Sequence, residues 1–359
     1  MGRARLAWKE QAMEIKKIDK TFTEAVTSWF RENKRQLPWR EDRQPYHIWV
    51  SEIMLQQTRV EAVREYYRRW MEELPTVQDL AETDEESLLK LWQGLGYYNR
   101  VRNMQKAAKQ ILEVHDGEFP GNYADILALP GIGEYTAGAI ASNCFDEPTP
   151  AVDGNVLRVL SRLTEDEADI AKQSTKKKYA EMLRGIYPDQ NCGDFTQGLM
   201  EIGAIVCVPN GVPKCDVCPV RAYCGACEHG TMRSYPVKAK KKERKIMEMT
   251  VFLLECEGCR AVQKRKEKGV LHGLYQYPNV AEKLAPDEAL ALAAEWGCSP
   301  AGLSRSSEYK HIFSHVEWHM TGYYIPCGRQ GKGADGDFLW ADESKMEKEI
   351  PLPSAFLYF

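Results

Sequence analysis

Leu129-Pro130-Gly131-Ile132-Gly133-Glu134-Tyr135-Thr136-Ala137-Gly138, followed one helix later by Val152-Asp153-Gly154-Asn155, decides how this chain is read. Pro130 and two glycines one residue apart predict a tight hairpin between a short helix and a long one, leaving backbone N–H groups around Gly131 and Gly133 at a helix N-terminus. Such a terminus is a cradle for phosphate. The helix it opens carries Ala137, Gly138, Ala139, Ala141 and Ser142, residues small enough to let another backbone come close. Asp153, in a Gly-Asn turn just beyond, would then hold a carboxylate near a bound phosphodiester. A Pro-Gly-x-Gly turn alone usually only joins helices, so its weight comes from context.

The chain has 359 residues, a net charge of -4 and a pI of about 6.1. That is room for two domains, and composition does not announce a nucleic-acid partner. Basic surface has to be local: Lys176, Lys177 and Lys178, or Lys238, Lys240, Lys241, Lys242, Arg244 and Lys245, each set also an ordinary solvated face or linker. No apolar run approaches a membrane span and the N-terminus lacks a secretory apolar core, so a cytoplasmic protein without membrane contact is expected. Eleven cysteines, an odd number crowded toward one region, fit an intracellular protein better than a disulfide framework.

Residues 1–20 are polar and read as a flexible lead. From Phe22 to Ala226, apolar spacings of three and four punctuated by Pro and Gly predict one all-α domain, residues 21–227. Residues 228–247, with His229-Gly230, Pro236 and the Lys-rich run, read as a linker. After Met249 the period changes to two: Thr250 to Cys256 and Arg260 to Gln263 flank a Glu257-Gly258 turn, and Ser314 to Met320 alternates. Residues 248–359 therefore read as a smaller α+β domain with one helix near Pro286 to Trp296.

Glu52 lies in Ser51-Glu52-Ile53-Met54-Leu55-Gln56-Gln57-Thr58, with Ile48, Trp49, Leu55 and Gln56 at one-turn spacing. Largely apolar neighbours desolvate a carboxyl, raise its pKa and keep it protonated near neutrality. An isolated glutamate in an amphipathic helix is more often a solvated edge residue. Cys207, Cys215, Cys218 and Cys224 cluster with Pro219 after the third, a pattern suited to an iron–sulfur cluster. Cys227 is a fifth candidate and leaves a zinc set of Cys215, Cys218, Cys224 and Cys227 open.

Together these motifs resemble the helix-hairpin-helix DNA glycosylases, and within them the A/G-specific adenine glycosylases, over most of the chain. The resemblance implies a mainly α N-terminal domain with an iron–sulfur cluster loop and an α+β, Nudix-like C-terminal domain. It implies a monofunctional enzyme of base excision repair that flips out adenine mispaired with 8-oxoguanine or guanine in double-stranded DNA and hydrolyses its N-glycosidic bond. A monomer acting at a bacterial nucleoid is the expected setting. Breaking that bond takes a proton for the departing base and negative charge beside the sugar cation, so two carboxylates with opposed environments suit it. Glu52 is then the general acid and Asp153 the stabiliser or nucleophile, with retention through a covalent intermediate, while Asn155 orients Asp153. Tyr135 stands where the related endonuclease III carries a lysine that forms a Schiff base and cuts the strand. A phenol cannot form that adduct and is expected to hydrogen-bond within the site; a bifunctional lyase for oxidised pyrimidines is the alternative that this position opposes.

The resemblance also places Arg35, Leu37, Trp39 and Arg40 in an adenine pocket, against the plainer reading of a structural Leu-Pro-Trp corner. Gln56, Gln57 and Thr58, with Leu95 and Tyr97 of Gly94-Leu95-Gly96-Tyr97-Tyr98, match segments that wedge into the duplex beside the opposite base. Gln197 falls where some relatives carry Glu. The cluster implied is [4Fe-4S] on Cys207, Cys215, Cys218 and Cys224, although the first gap, Val208 to Lys214, is one residue longer than usual. In the second domain, Gly269 to Pro278 and the Phe313-Ser314-His315 loop resemble the Nudix-like module, the loop as the reader of 8-oxoguanine. The helix near Asp287, Glu288 and Glu295 lacks the Arg-Glu and Glu-Glu set that holds magnesium in a Nudix hydrolase, so diphosphate hydrolysis is not expected. His315, Glu317 and His319 share one strand face and read as a solvated edge.

Overall fold

The computed structural model describes residues 18–239 and 243–359, so most of the expected lead and Lys240, Lys241 and Lys242 lie outside the described residues. Contacts divide the described chain into two units, one holding residues up to Ala81 and from Asn103 to Ala239, the other Glu82–Arg102 and everything from Glu243 on. The helices in chain order are α1 (Lys20–Asn33), α2 (Pro45–Leu55), α3 (Val60–Glu73), α4 (Val77–Glu82), α5 (Glu85–Leu91), α6 (Asn99–Val114) and α7 (Tyr123–Leu127). They continue with α8 (Glu134–Phe145), α9 (Gly154–Thr164), α10 (Gln173–Arg184), α11 (Cys192–Glu201), α12 (Gly225–Glu228), α13 (Pro286–Glu295) and α14 (Glu343–Lys348). None among the described residues is long and apolar enough to cross a membrane.

In the first unit, Phe22 and Val26 of α1, Val156 and Leu160 of α9, and Phe195 and Leu199 of α11 share one buried cluster. Each such side chain contributes about 1.5–3 kcal/mol on leaving water. The unit starts earlier than the composition suggests: Ile18 is buried, and Asp19 caps α1 by accepting from the Thr21 N–H at 3.0 Å. Ile18 to Lys20 therefore belong to the domain and not to a lead.

The hairpin joins α7 to α8. Gly131 has φ +78°, and a Cβ there would stand 2.6 Å from Asn103 Cβ, so the turn admits only glycine. At Gly138, inside α8, a Cβ would stand 2.4 Å from the Pro150 carbonyl oxygen. The chain leaving α8 reverses through Asp146, which has φ +55°, and lays Pro150 and Ala151 directly on that helix. It thereby delivers Asp153 as the N-cap of α9.

The second unit is built on a sheet of order β3-β2-β1-β6-β5, from β1 (Lys245–Cys256), β2 (Cys259–Lys264), β3 (Tyr275–Gln276), β5 (Arg305–Ile312) and β6 (Val316–Pro326); β4 (Asn279–Val280) pairs with β1 and β7 (Leu339–Ala341) with β2. β1 and β6 run parallel, and β5 pairs antiparallel with β6. Glu257 and Gly258 both take positive φ, as a two-residue hairpin between right-twisted strands requires. α13 covers one face through Ala289 and Ala293 on Phe252 and Leu254, and Trp318 and Phe356 pack on another cluster.

Two expected boundaries change. β1 begins at Lys245, inside the expected linker, because its parallel register with β6 extends back to the Lys245–Val316 pair. Glu82–Arg102, expected in the all-α domain, groups with the sheet: Lys90 Nζ donates to the Ile350 carbonyl at 3.0 Å and Gln93 Nε2 to the Leu352 carbonyl at 2.8 Å.

Candidate active site

Asp153 is held on both oxygens. Its Oδ1 accepts from the Val156 backbone N–H at 2.7 Å and its Oδ2 from Asn155 Nδ2 at 2.7 Å. Burial holds its carboxyl above the usual aspartate range, against these donors and the charge of Arg158, which favour the ionised form. Asn155 is fixed in turn, its Oδ1 accepting from Arg158 Nη2 at 2.9 Å. Arg158 is buried and also donates to the carbonyls of Gly203, at 2.7 Å, and Cys207, at 2.7 Å. Gly203 makes this possible, since a Cβ there would stand 2.5 Å from Asn155 Cβ. A line of hydrogen bonds thus runs from the Cys207 carbonyl to the Asp153 carboxylate.

Glu52, on α2, has Tyr135 as its partner: the Tyr135 hydroxyl donates to Glu52 Oε2 at 2.5 Å. Burial pushes the Glu52 carboxyl up to about 7, and the negative charge of Asp153 adds to this; the Tyr135 hydrogen bond and Arg40 oppose it. Burial also drives the Tyr135 phenol well above its ordinary range, so it stays a donor. The two carboxyls thereby differ in character: Glu52 is pushed up to about 7 with one phenol as partner, and Asp153 is held by two donors that favour its ionised form.

Sequence reasoning missed two residues here. Glu201, buried at the end of α11, accepts from Arg35 Nε at 2.7 Å and from Arg40 Nη2 at 2.9 Å. Burial pushes its carboxyl up, but the hydrogen bonds from both arginines win and hold it at about 2. Arg35 and Arg40, expected as free donors to a base, are therefore engaged in this ion cluster. No local signal pointed to this pairing, since Glu32, Glu41 and Asp42 stand nearer in sequence to the two arginines than Glu201 does. Leu37 and Trp39 are buried, with Trp39 edge-on to Tyr67 at 5.5 Å. The other missed residue is Arg158, whose signal was a lone cation in the apolar run Val156 to Leu160.

Gln197 donates to Asn143 Oδ1 at 3.2 Å. Gln56 reaches Thr136 Oγ1 at 3.5 Å, Thr58 is half-buried beside it, and Gln57 stands exposed at φ +60°. In the second unit, Leu95 is buried, so only Tyr97 of that pair is presented, exposed at φ +49°. Arg100 buttresses it, lying 5.5 Å from the Tyr97 ring and donating to the Leu95 carbonyl at 2.9 Å. The Tyr97 hydroxyl meets Ser314 Oγ at 3.0 Å, joining two motifs more than two hundred residues apart in sequence. Ser314 and His315 are exposed, and Phe313 is wedged between His311 and Trp318. The expected solvated edge is corrected at Glu317, which is buried because Lys310 of β5 reaches over it and His319 donates at 2.8 Å.

Cys207, Cys215, Cys218, Cys224 and Cys227 line one cavity with Arg162. Arg162 Nη1 donates to Cys207 Sγ at 3.2 Å, a cation placed for a thiolate. The longer first gap closes on itself, the Lys214 N–H donating to the Val206 carbonyl at 3.0 Å and returning Cys215 to Cys207. Cys227, left outside the favoured set, hydrogen-bonds the Cys215 thiol. The donor set fits an iron–sulfur cluster.

Because Arg158 is buried and donates to the Cys207 and Gly203 carbonyls and to Asn155 Oδ1, Arg158→Met is expected to lower unfolding free energy by about 3–5 kcal/mol. Denaturant unfolding checks this, with Arg158→Lys falling between; wild-type stability in the Met variant would remove the network from the account.

Residues 50–185 match the HhH-GPD superfamily of base excision DNA repair proteins and residues 250–358 match the NUDIX domain. An adenine DNA glycosylase of Buchnera aphidicola is 33% identical, over 85% of this chain and 86% of its own length. The adenine DNA glycosylase of Arabidopsis thaliana is 34% identical over 81% of this chain, which spans only 55% of that relative. Among solved structures, a thermostable thymine-DNA glycosylase aligns with a TM-score of 0.53 and 29% identity, over 58% of this chain and 96% of its own. With the paired carboxyls and the hairpin in place, these matches establish that the chain belongs to the adenine DNA glycosylase family of helix-hairpin-helix base excision repair proteins.

Proposed function

We propose that this chain excises adenine mispaired with 8-oxoguanine, and secondarily with guanine, from double-stranded DNA and leaves the strand uncut. The observation that carries the reading is the pair of carboxyls of opposed character, Glu52 pushed up to about 7 and Asp153 held by two donors at 2.7 Å. Glu52 gives its proton to a ring nitrogen of the departing adenine, and Asp153, oriented by Asn155, faces the positive charge that grows on the sugar. Tyr135 keeps the Glu52 carboxyl aimed and offers no amine, so no Schiff base forms and the abasic strand stays intact. Removal of adenine is the same chemistry whatever stands opposite. Discrimination therefore falls to groups that touch the other strand: Gln57 and Thr58, Tyr97, and the Phe313-Ser314-His315 loop.

Gly131 and Gly133 are the phosphate contacts of the hairpin, where α8 starts without a side-chain cap. Arg35 and Arg40, locked to Glu201, hold the Leu37–Trp39 corner in shape behind the base, and Gln56 and Gln197 border it. Cys207, Cys215, Cys218 and Cys224 are the ligands of a [4Fe-4S] cluster, which when bound clamps the loop whose Cys207 carbonyl anchors Arg158. The protein works as a monomer on DNA inside the cell.

Incubation with duplexes carrying adenine opposite 8-oxoguanine, guanine or thymine tests the reading. Free adenine and strand cleavage only after alkali are expected, fastest opposite 8-oxoguanine; cleavage without alkali would favour a lyase. Asp153→Asn is expected to bind the lesion duplex and lose roughly three orders of magnitude or more in single-turnover rate.

The pH profile follows from Glu52. Its protonated form is the acid, so excision is expected to fall as pH rises through about 7. Tyr135→Phe removes a donor that favours the carboxylate, which raises the Glu52 pKa and moves this alkaline limb upward. A limb that stays put or moves down contradicts the assignment.

Iron and sulfide analysis of the purified protein checks the cluster. Cys227→Ser is expected to retain both and Cys207→Ser to lose them, whereas stoichiometric zinc without sulfide would select the other set.

A further inference from the structure

Of the six cysteines outside the iron–sulfur loop, which take no part in the proposed chemistry, Cys256, Cys259, Cys298 and Cys327 lie in the second unit. The second unit brings them to one end of its sheet. Cys256 and Cys259 are register partners across the β1–β2 hairpin, and Cys327 follows β6 with its N–H donating to the Glu255 carbonyl at 2.7 Å. Cys298 comes just after α13, the helix that covers this face. Cys256, Cys298 and Cys327 are buried in the same cluster.

Within this group, Cys298 and Cys327 are a distinct pair. The segments that carry them run antiparallel: Pro300 bridges Cys327, the Gly328 N–H donates to the Ser299 carbonyl at 2.8 Å, and the Ala301 N–H donates to the Pro326 carbonyl at 2.8 Å. Two residues from Pro300, Cys298 lies on the same face as Cys327 at a diagonal position, where side chains of an antiparallel pair meet. The two thiols lie within interaction range of each other, and the Cys327 thiol donates to the Ile325 carbonyl at 3.4 Å. The Gly331 backbone packs directly on Cys298, since a Cβ there would stand 2.6 Å from Cys298 Sγ.

We propose that Cys298 and Cys327 are a reversible oxidation site, closed to a disulfide by a hydroperoxide. Cys298 is the attacking sulfur. The neighbouring Cys327 thiol, the Gly331 N–H and the charge of Arg329 hold its thiol below the usual range, while the neighbouring Cys298 and burial push the Cys327 thiol up. The Cys298 thiolate attacks the O–O bond of hydrogen peroxide: an S–O bond forms, the O–O bond breaks, and the hydroxide released takes a proton to become water. Cys327 then loses its proton, attacks the Cys298 sulfenic sulfur and forms the S–S bond as the S–O bond breaks and a second water leaves. Two thiols are oxidised by two electrons and one peroxide is reduced to two waters.

The disulfide closes a ring from residue 298 to 327 that contains β5, the Phe313-Ser314-His315 loop and β6. Oxidation fastens the base of the hairpin that carries this loop, by removing freedom from the open chain.

The test treats the whole reduced protein, cluster retained, with a small excess of hydrogen peroxide, caps remaining thiols and maps cysteine peptides without reduction. The expected product is a single cross-link between the Cys298 and Cys327 peptides, reversed by dithiothreitol and unaffected by Cys256→Ser. In Cys327→Ser, dimedone is expected to trap a sulfenic acid at Cys298. Recovery of both as free thiols while exposed methionines are oxidised, pairing of either with Cys256 instead, or passage of Cys298 to sulfinic acid without a cross-link overturns the proposal. The wild-type map decides alone if a variant does not fold.

Discussion

Two carboxyl groups in one desolvated pocket cannot both ionise without large mutual repulsion, and the site depends on which of them carries the charge. The fold settles this by unequal hydrogen bonding. Asp153 receives a helix-terminal N–H and an amide, both suited to an anion. Glu52 receives a single phenol, and burial outweighs that bond and the charge of Arg40 in favouring the neutral form. Once Asp153 holds the negative charge, that charge itself keeps the proton on Glu52. Under the proposed function the pair acts as a proton donor beside an anion, the arrangement that departure of a base from a sugar requires.

Much of the first unit serves to fix that asymmetry. Gly138 lets Pro150 lie on α8 and so sets where Asp153 arrives. Gly203 lets Asn155 approach the chain after α11, where Arg158 binds the Gly203 and Cys207 carbonyls. The cysteine loop is thus bonded, through one buried arginine and one amide, to the carboxylate it never touches. A loop ordered by metal ligation can in this way hold a catalytic group without taking part in the reaction.

Local motifs were legible in the sequence because their physics is local. The Pro-Gly-x-Gly hairpin, the apolar setting of Glu52, the Asp-Gly-Asn turn and the cysteine spacing all state their requirements within a few residues. What failed was long-range. Arg35 and Arg40 read as free donors because their carboxylate, Glu201, lies more than 160 residues away and looks like an ordinary helix end. The burial of Trp39 and Leu95 by tertiary packing is likewise not announced by their local sequence. Glu82–Arg102 is helical and so read as part of the helical domain, yet its polar side chains satisfy carbonyls beyond the sheet. The edge strand Arg305–Ile312, rich in Ser, Glu and Lys, carries too weak an apolar alternation to be read as a strand.

The central claim is a statement about protons, and it can be observed without turnover. Titration of the protein labelled with carboxyl-13C glutamate and aspartate, with Glu52→Gln and Asp153→Asn used to assign the two signals, reads both groups directly. The account predicts that Glu52 titrates near 7 while Asp153 is already ionised at lower pH. Titration of Glu52 in the ordinary carboxylate range near 4, or a proton residing on Asp153 above an ionised Glu52, would contradict it.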